Sequence, residues 1–130
     1  MIRTYKPSDL DAIRRMHAES NLPNVCFPDL ESKLCIVKIV TEEKGKVVQF
    51  GAIRLTGEAF TLVDHGYATP EKRHDLMQQL VAHGLKGAAD YGLDEVSAWL
   101  PPNIEKSFGP RLEAMGWIRS PWPNYTALLK

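Results

Sequence analysis

Three basic side chains crowd the start of what reads as a helix: Lys72, Arg73 and His74, in the stretch ATPEKRHDLMQQLV over residues 68–81. Thr69 carries the hydroxyl of an N-cap, and Pro70 suits the first helical position, where a missing N–H costs nothing. The free amides and dipole at such an end attract anions. The basic residues are therefore either a phosphate-binding cluster or the solvated charges of a first turn, held there against the dipole. Just upstream, Asp64 and His65 end an apolar run. A carboxylate or an imidazole can act as a general base, and neighbours on a strand point to opposite faces, so at most one of the pair faces a cleft. The plainer alternative is a strand end facing solvent.

Other residues carry weaker signals. Tyr67, Tyr125 and Ser107 carry hydroxyls that could donate a proton, but packing or capping explains each as well. Asn103 has the chemistry of an N-cap for the turn that follows it. Trp99, Trp117 and Trp122 could line a pocket or build aromatic core. Cys26 and Cys35 are the only cysteines. With no CxxC and no paired framework they read as reduced thiols of a cytoplasmic protein. The four histidines show no metal-ligand spacing, so no metal site is expected.

These residues are positioned by one domain spanning residues 1–130, with 44% apolar and 25% charged residues. Sixteen basic residues balance sixteen acidic ones, so no net field draws the chain to nucleic acid or to a membrane. The longest apolar runs are far too short to span a bilayer, and the N-terminus lacks a signal peptide's apolar core.

IRTY reads as a first strand. A helix follows with Ser8 as N-cap and Leu10, Ile13, Met16 and His17 on one face. Pro23 and Pro28 punctuate a loop. CIVKIVTEE and VVQFGAIRLT are strands joined by the hairpin signal EKGK, and AFTLVDHGYA is a third strand of the meander. The long helix then carries an apolar stripe of Leu76, Leu80, Met77, Val81, Leu85 and Ala88, and ends at Gly92. EVSAWL is the next strand, lying beside and roughly parallel to AFTLVDHGYA through the crossover helix. Pro110 predicts a break, giving a turn over 104–108 and a helix from about 110 to 116. Two short strands around Pro-Trp-Pro close the chain.

This order resembles the GCN5-related N-acetyltransferase superfamily over nearly the whole chain. IRTYKPSDLDAIRRMH looks like its first strand and helix. YATPEKRHDLMQQLV stands where its cofactor segment stands, and LPPNIEKSFGPRLEAMGWI looks like its fifth strand, fourth helix and the GF pair, here Gly116 and Trp117. The resemblance implies a single α/β domain with a mixed, mainly antiparallel sheet of six or seven strands and helices on both faces. It implies transfer of an acyl group from acetyl-CoA or another acyl-CoA to the amine of a small molecule or protein. Asp64 or His65 would be the base. Tyr67, Ala68 and Thr69 would pair with pantetheine, Lys72, Arg73 and His74 would meet the phosphates, and Asn103 would hold the cofactor arm. The loop over 20–32 matches the segment covering the acceptor.

The family's phosphate loop has the pattern Q/R-x-x-G-x-G/A. Arg73 fits its first position, but His74 to Gln78 supply no glycine, and Asp75 adds a negative charge. Leu112 stands where the family has its tyrosine acid. The alternative is a catalytically inactive binding or structural module of the same fold, with a protein as its partner. More loosely, the chain resembles small members of the family encoded in phage genomes, which would place it in a host cytoplasm or a virion.

Overall fold

The structure, a computed structural model, describes residues 1–22 and 27–129. The elements run β1 (Ile2–Thr4), α1 (Leu10–Glu19), β2 (Cys35–Glu43), β3 (Lys46–Arg54), β4 (Gly57–Glu58), α2 (Pro70–Tyr91), β5 (Val96–Ser97) and α3 (Pro102–Ala114). The chain divides into two compact units, Met1–Gly57 with Gly92–Glu95, and Glu58–Tyr91 with Val96–Lys130. It is an α/β protein with three α-helices and an antiparallel sheet among the described residues. Five strands are found among the described residues, in sheets of three and two, where the sequence predicted six or seven in one.

In the first unit β1, β2 and β3 form an antiparallel sheet in that order, with Thr4 opposite Ile39 and Thr41 opposite Gln49. The predicted hairpin is present. Its turn needs positive φ at both central residues, and Lys44 (φ 50°) and Gly45 (φ 78°) supply it. The predicted apolar stripe of α1 also holds. Ile13 is buried, and Leu10 and Met16 pack against the core of Tyr5, Leu30, Cys35 and Val40, giving α1 its place on the sheet. Ser8 does not cap this helix. It lies in a 3-10 turn over Pro7–Asp9, where the Asp9 carboxylate accepts the Lys6 N–H instead. Cys35 is buried and a free thiol. Cys26 lies outside the described residues.

In the second unit α2 starts and stops as predicted. Thr69 precedes it, and Gly92 follows with φ 107°, the left-handed conformation that ends a helix. Its stripe is only partly covered: Met77 is buried, whereas Leu80 is 56% exposed.

Three expectations change. The segment 59–68 is not a strand, because its end folds on itself: Asp64 Oδ1 accepts the Gly66 N–H, and the Tyr67 N–H reaches the Asp64 carbonyl. Pro110 does not break α3, which runs continuously through it. Residues 117–129 form no strand.

The predicted ladder between AFTLVDHGYA and EVSAWL is not formed; β4 (Gly57–Glu58), which precedes the predicted strand, pairs with β5 (Val96–Ser97) instead. The Gly57 N–H donates to the Glu95 carbonyl at 3.0 Å, and the Ala59 N–H to the Ser97 carbonyl at 2.8 Å. Both partners advance by two residues together, the sense of a parallel ladder, and α2 connects them.

Candidate functional site

The turn of residues 64–69 delivers the chain into α2, and most of the sequence-predicted site lies on it. Thr69 caps as expected, its Oγ1 accepting the Lys72 N–H at 3.1 Å. Ala68 has φ 50°, a left-handed conformation that costs a residue with a Cβ about 1–2 kcal/mol. What offsets that cost is on the next turn of helix. Arg73 Nη1 donates to the Tyr67 carbonyl at 3.0 Å and to the Ala68 carbonyl at 2.9 Å. A cation at the positive end of a helix is thereby turned back onto the loop that precedes it.

The amides available to an anion can be counted. Pro70 has no N–H. Lys72 N–H is bound by Thr69 Oγ1, and Arg73 N–H by the Thr69 carbonyl at 3.0 Å. From the cap to the first turn, the Thr69 and Glu71 N–H groups are without a partner among the described residues. A diphosphate held on backbone amides needs several such groups and a close approach. This helix start offers charge without that cradle.

The side chains divide in the same way. Asp64 is exposed, with one carboxylate oxygen engaged by Gly66. His65 is exposed and makes no hydrogen bond among the described residues, so of the two candidate bases it is the one whose nitrogens are unspent. Tyr67 is 55% exposed. Lys72 is exposed, and Arg73 is half-buried over the loop. His74 is half-buried, and its Nδ1 is shielded from solvent with no hydrogen-bond partner. Nothing in the spacing of the sequence signalled that orphaned atom.

Asn103 is not an N-cap. It lies within the first turn of α3, for which Pro101 stands at the cap position, and no hydrogen bond joins it to the 64–74 cluster among the described residues.

Two concavities lie in the first unit, and none of the predicted site residues is in their walls. One, of about 520 Å³, has Arg3, Asp9, Arg15, Glu42 and Lys46 in its walls. The other, of about 650 Å³, has Ile13, Met16, Phe27, Val40 and Phe50 in its walls. Arg3 and Asp9 are the polar centre of that unit. The Arg3 guanidinium and the Lys6 N–H hold the Asp9 carboxyl down at about 2, against the opposing effect of burial. Local spacing could not foresee the cluster, since Glu42 joins it from a distant strand.

Among the described residues no group of three His, Cys, Asp or Glu side chains could hold a metal ion. No helix among them is long and apolar enough to cross a membrane.

No family model matches the chain, and no curated protein does. Among solved structures, the chain is similar to an aminoglycoside N-acetyltransferase in complex with CoA. The identity is 14% and the TM-score 0.37, over 98% of each chain. A score of that size does not establish a common fold.

Proposed function

We propose that the chain is a divergent N-acyltransferase of the acetyltransferase type, taking an acyl group from acyl-CoA to an amine. The observation that carries this reading is the junction of the short ladder and α2. The Gly57–Glu95 and Ala59–Ser97 hydrogen bonds run in the parallel sense, and α2 makes the crossover. In such units ligands gather beyond the carboxyl ends of the strands, where the helix presents its positive end. Here that end carries Lys72, Arg73 and His74. The unspent imidazole of His65, nine residues before His74, is the group suited to accept a proton from the amine. CoA phosphates would meet the exposed Lys72 in place of an amide cradle, the Arg73 guanidinium being engaged with the loop, and surface charge pairs are worth about 1 kcal/mol or less each. Affinity is therefore expected in the high micromolar range or weaker, on the order of −5 to −6 kcal/mol.

A second reading is a non-catalytic module that binds a protein partner. The two carbonyls spent on Arg73 favour it, since they lie on the segment assigned to pantetheine by the resemblance. Calorimetric titration with acetyl-CoA, followed by an assay for CoA release with a panel of amines, separates the two. Weak saturable binding with amine-dependent release supports the acyltransferase. No heat and no release at millimolar acetyl-CoA leaves the binding module.

A further inference from the structure

We propose that Arg73 is an autoinhibitory latch on the entrance to α2. One guanidinium nitrogen, Nη1, holds the carbonyls of two successive residues, Tyr67 and Ala68, at 3.0 and 2.9 Å. The same two residues form the bend. Tyr67 N–H closes a turn onto the Asp64 carbonyl at 3.2 Å, and Ala68 adopts the left-handed conformation that an alanine rarely takes unaided. Both carbonyls would otherwise be the free acceptors of an extended segment. With Arg73 in place, each carbonyl already accepts a charge-assisted hydrogen bond, and a ligand amide must compete with the guanidinium for it.

The electrostatics fit a latch better than a receptor. Arg73 lies in the first turn of α2, where the helix dipole disfavours a cation. Two carbonyl dipoles offset that penalty locally and draw the side chain toward the loop. Lys72, one residue earlier, is exposed and makes no such contact. The two neighbours therefore differ in role although they share a charge. This inference rests on the acyltransferase reading only where CoA is the ligand. The closure of the turn stands apart from it.

The test uses the full-length chain, Arg73→Ala, and Lys72→Ala as the charge-matched control. Amide exchange is read at Tyr67 and Lys72, and CoA binding by calorimetry. Losing one or two modest hydrogen bonds should speed exchange at Tyr67 about two- to tenfold in Arg73→Ala, with no change there in Lys72→Ala. CoA should bind Arg73→Ala several-fold more tightly than the parent chain. Faster exchange with equal CoA binding to both proteins would overturn the latch and leave the acyltransferase reading in place, and no CoA binding to either protein would overturn both. Unchanged exchange in Arg73→Ala, or CoA binding that this substitution weakens, would overturn the latch.

Discussion

Arg3 and Asp9 face each other through two parallel hydrogen bonds, Nη1 to Oδ2 and Nη2 to Oδ1, each 2.9 Å long. The fork is bidentate, the strongest geometry a guanidinium and a carboxylate can adopt. Arg3 Nε also reaches Glu42 on β2 at 3.2 Å, and the Lys6 N–H reaches Asp9 Oδ2 at 2.8 Å. The first strand, the turn before α1 and the central strand of the sheet are thus joined at one point.

That joint should make stability depend on acid. The Asp9 carboxyl is lowered from 3.8 to about 2 in the folded chain, chiefly by Arg3 and then by the Lys6 N–H. A depressed folded value means the unfolded chain binds the proton first as pH falls. The stabilisation is therefore complete above about pH 4 and is lost progressively towards pH 2. Asp9→Asn should lower the Tm at pH 7 and flatten its fall between pH 4 and 2. Parallel melting curves that keep the full acid slope in the variant would show that other carboxylates carry it.

The turn between β2 and β3 leaves room for improvement. Lys44 adopts φ 50° beside Gly45, and Asn-Gly is the pair best suited to two positive φ values. Lys44→Asn should raise stability by on the order of 1 kcal/mol. Chemical denaturation would read this as a higher midpoint at unchanged slope; a lower midpoint would mean that the turn has another geometry in solution.

Much of the organisation was legible because its signals are local. The Leu10, Ile13, Met16 spacing placed α1, the Lys44-Gly45 pair placed the hairpin, and Thr69 with Gly92 bounded α2. The segment 59–68 misled for the converse reason. Phe60 and Leu62 read as strand residues, but a strand exists only with a partner, and the Asp64 to Gly66 bond turns the chain before a long ladder forms. At the candidate site the basic cluster was visible, since Lys72, Arg73 and His74 are consecutive. The use made of Arg73 was not. It depends on a left-handed Ala68, and nothing about an alanine announces that conformation.

Val40, at 1% exposure, and Ile13 and Leu30, each at 3%, are the least accessible apolar side chains of the first unit's core. Ile13→Ala would leave a cavity between α1 and the sheet and should cost about 2–5 kcal/mol. Denaturant titration followed by far-UV circular dichroism would measure it. A loss under about 1 kcal/mol would mean that α1 does not pack on the sheet through this residue.

Pro110 lies inside α3 and is exposed, four residues beyond Lys106 and four before Ala114. Its ring nitrogen has no hydrogen to donate, so the Lys106 carbonyl lacks its usual helical donor, and the ring crowds the preceding turn. The helix continues because both sides are secured. Ser107 Oγ donates to the Ile104 carbonyl before the proline, and beyond it the Met115 and Trp117 N–H groups both reach the Leu112 carbonyl. Arg119 Nε adds a 2.7 Å contact back to Glu105, spanning the proline. Pro110→Ala restores the missing donor and relieves the crowding, so it should increase helical ellipticity and stabilise α3 by up to about 3 kcal/mol. The gain is read from the mean residue ellipticity at low temperature and from the melting midpoint. If ellipticity stays the same and the midpoint falls, the proline ends one helix and begins another in solution, and the break inferred from its ring alone is the correct description.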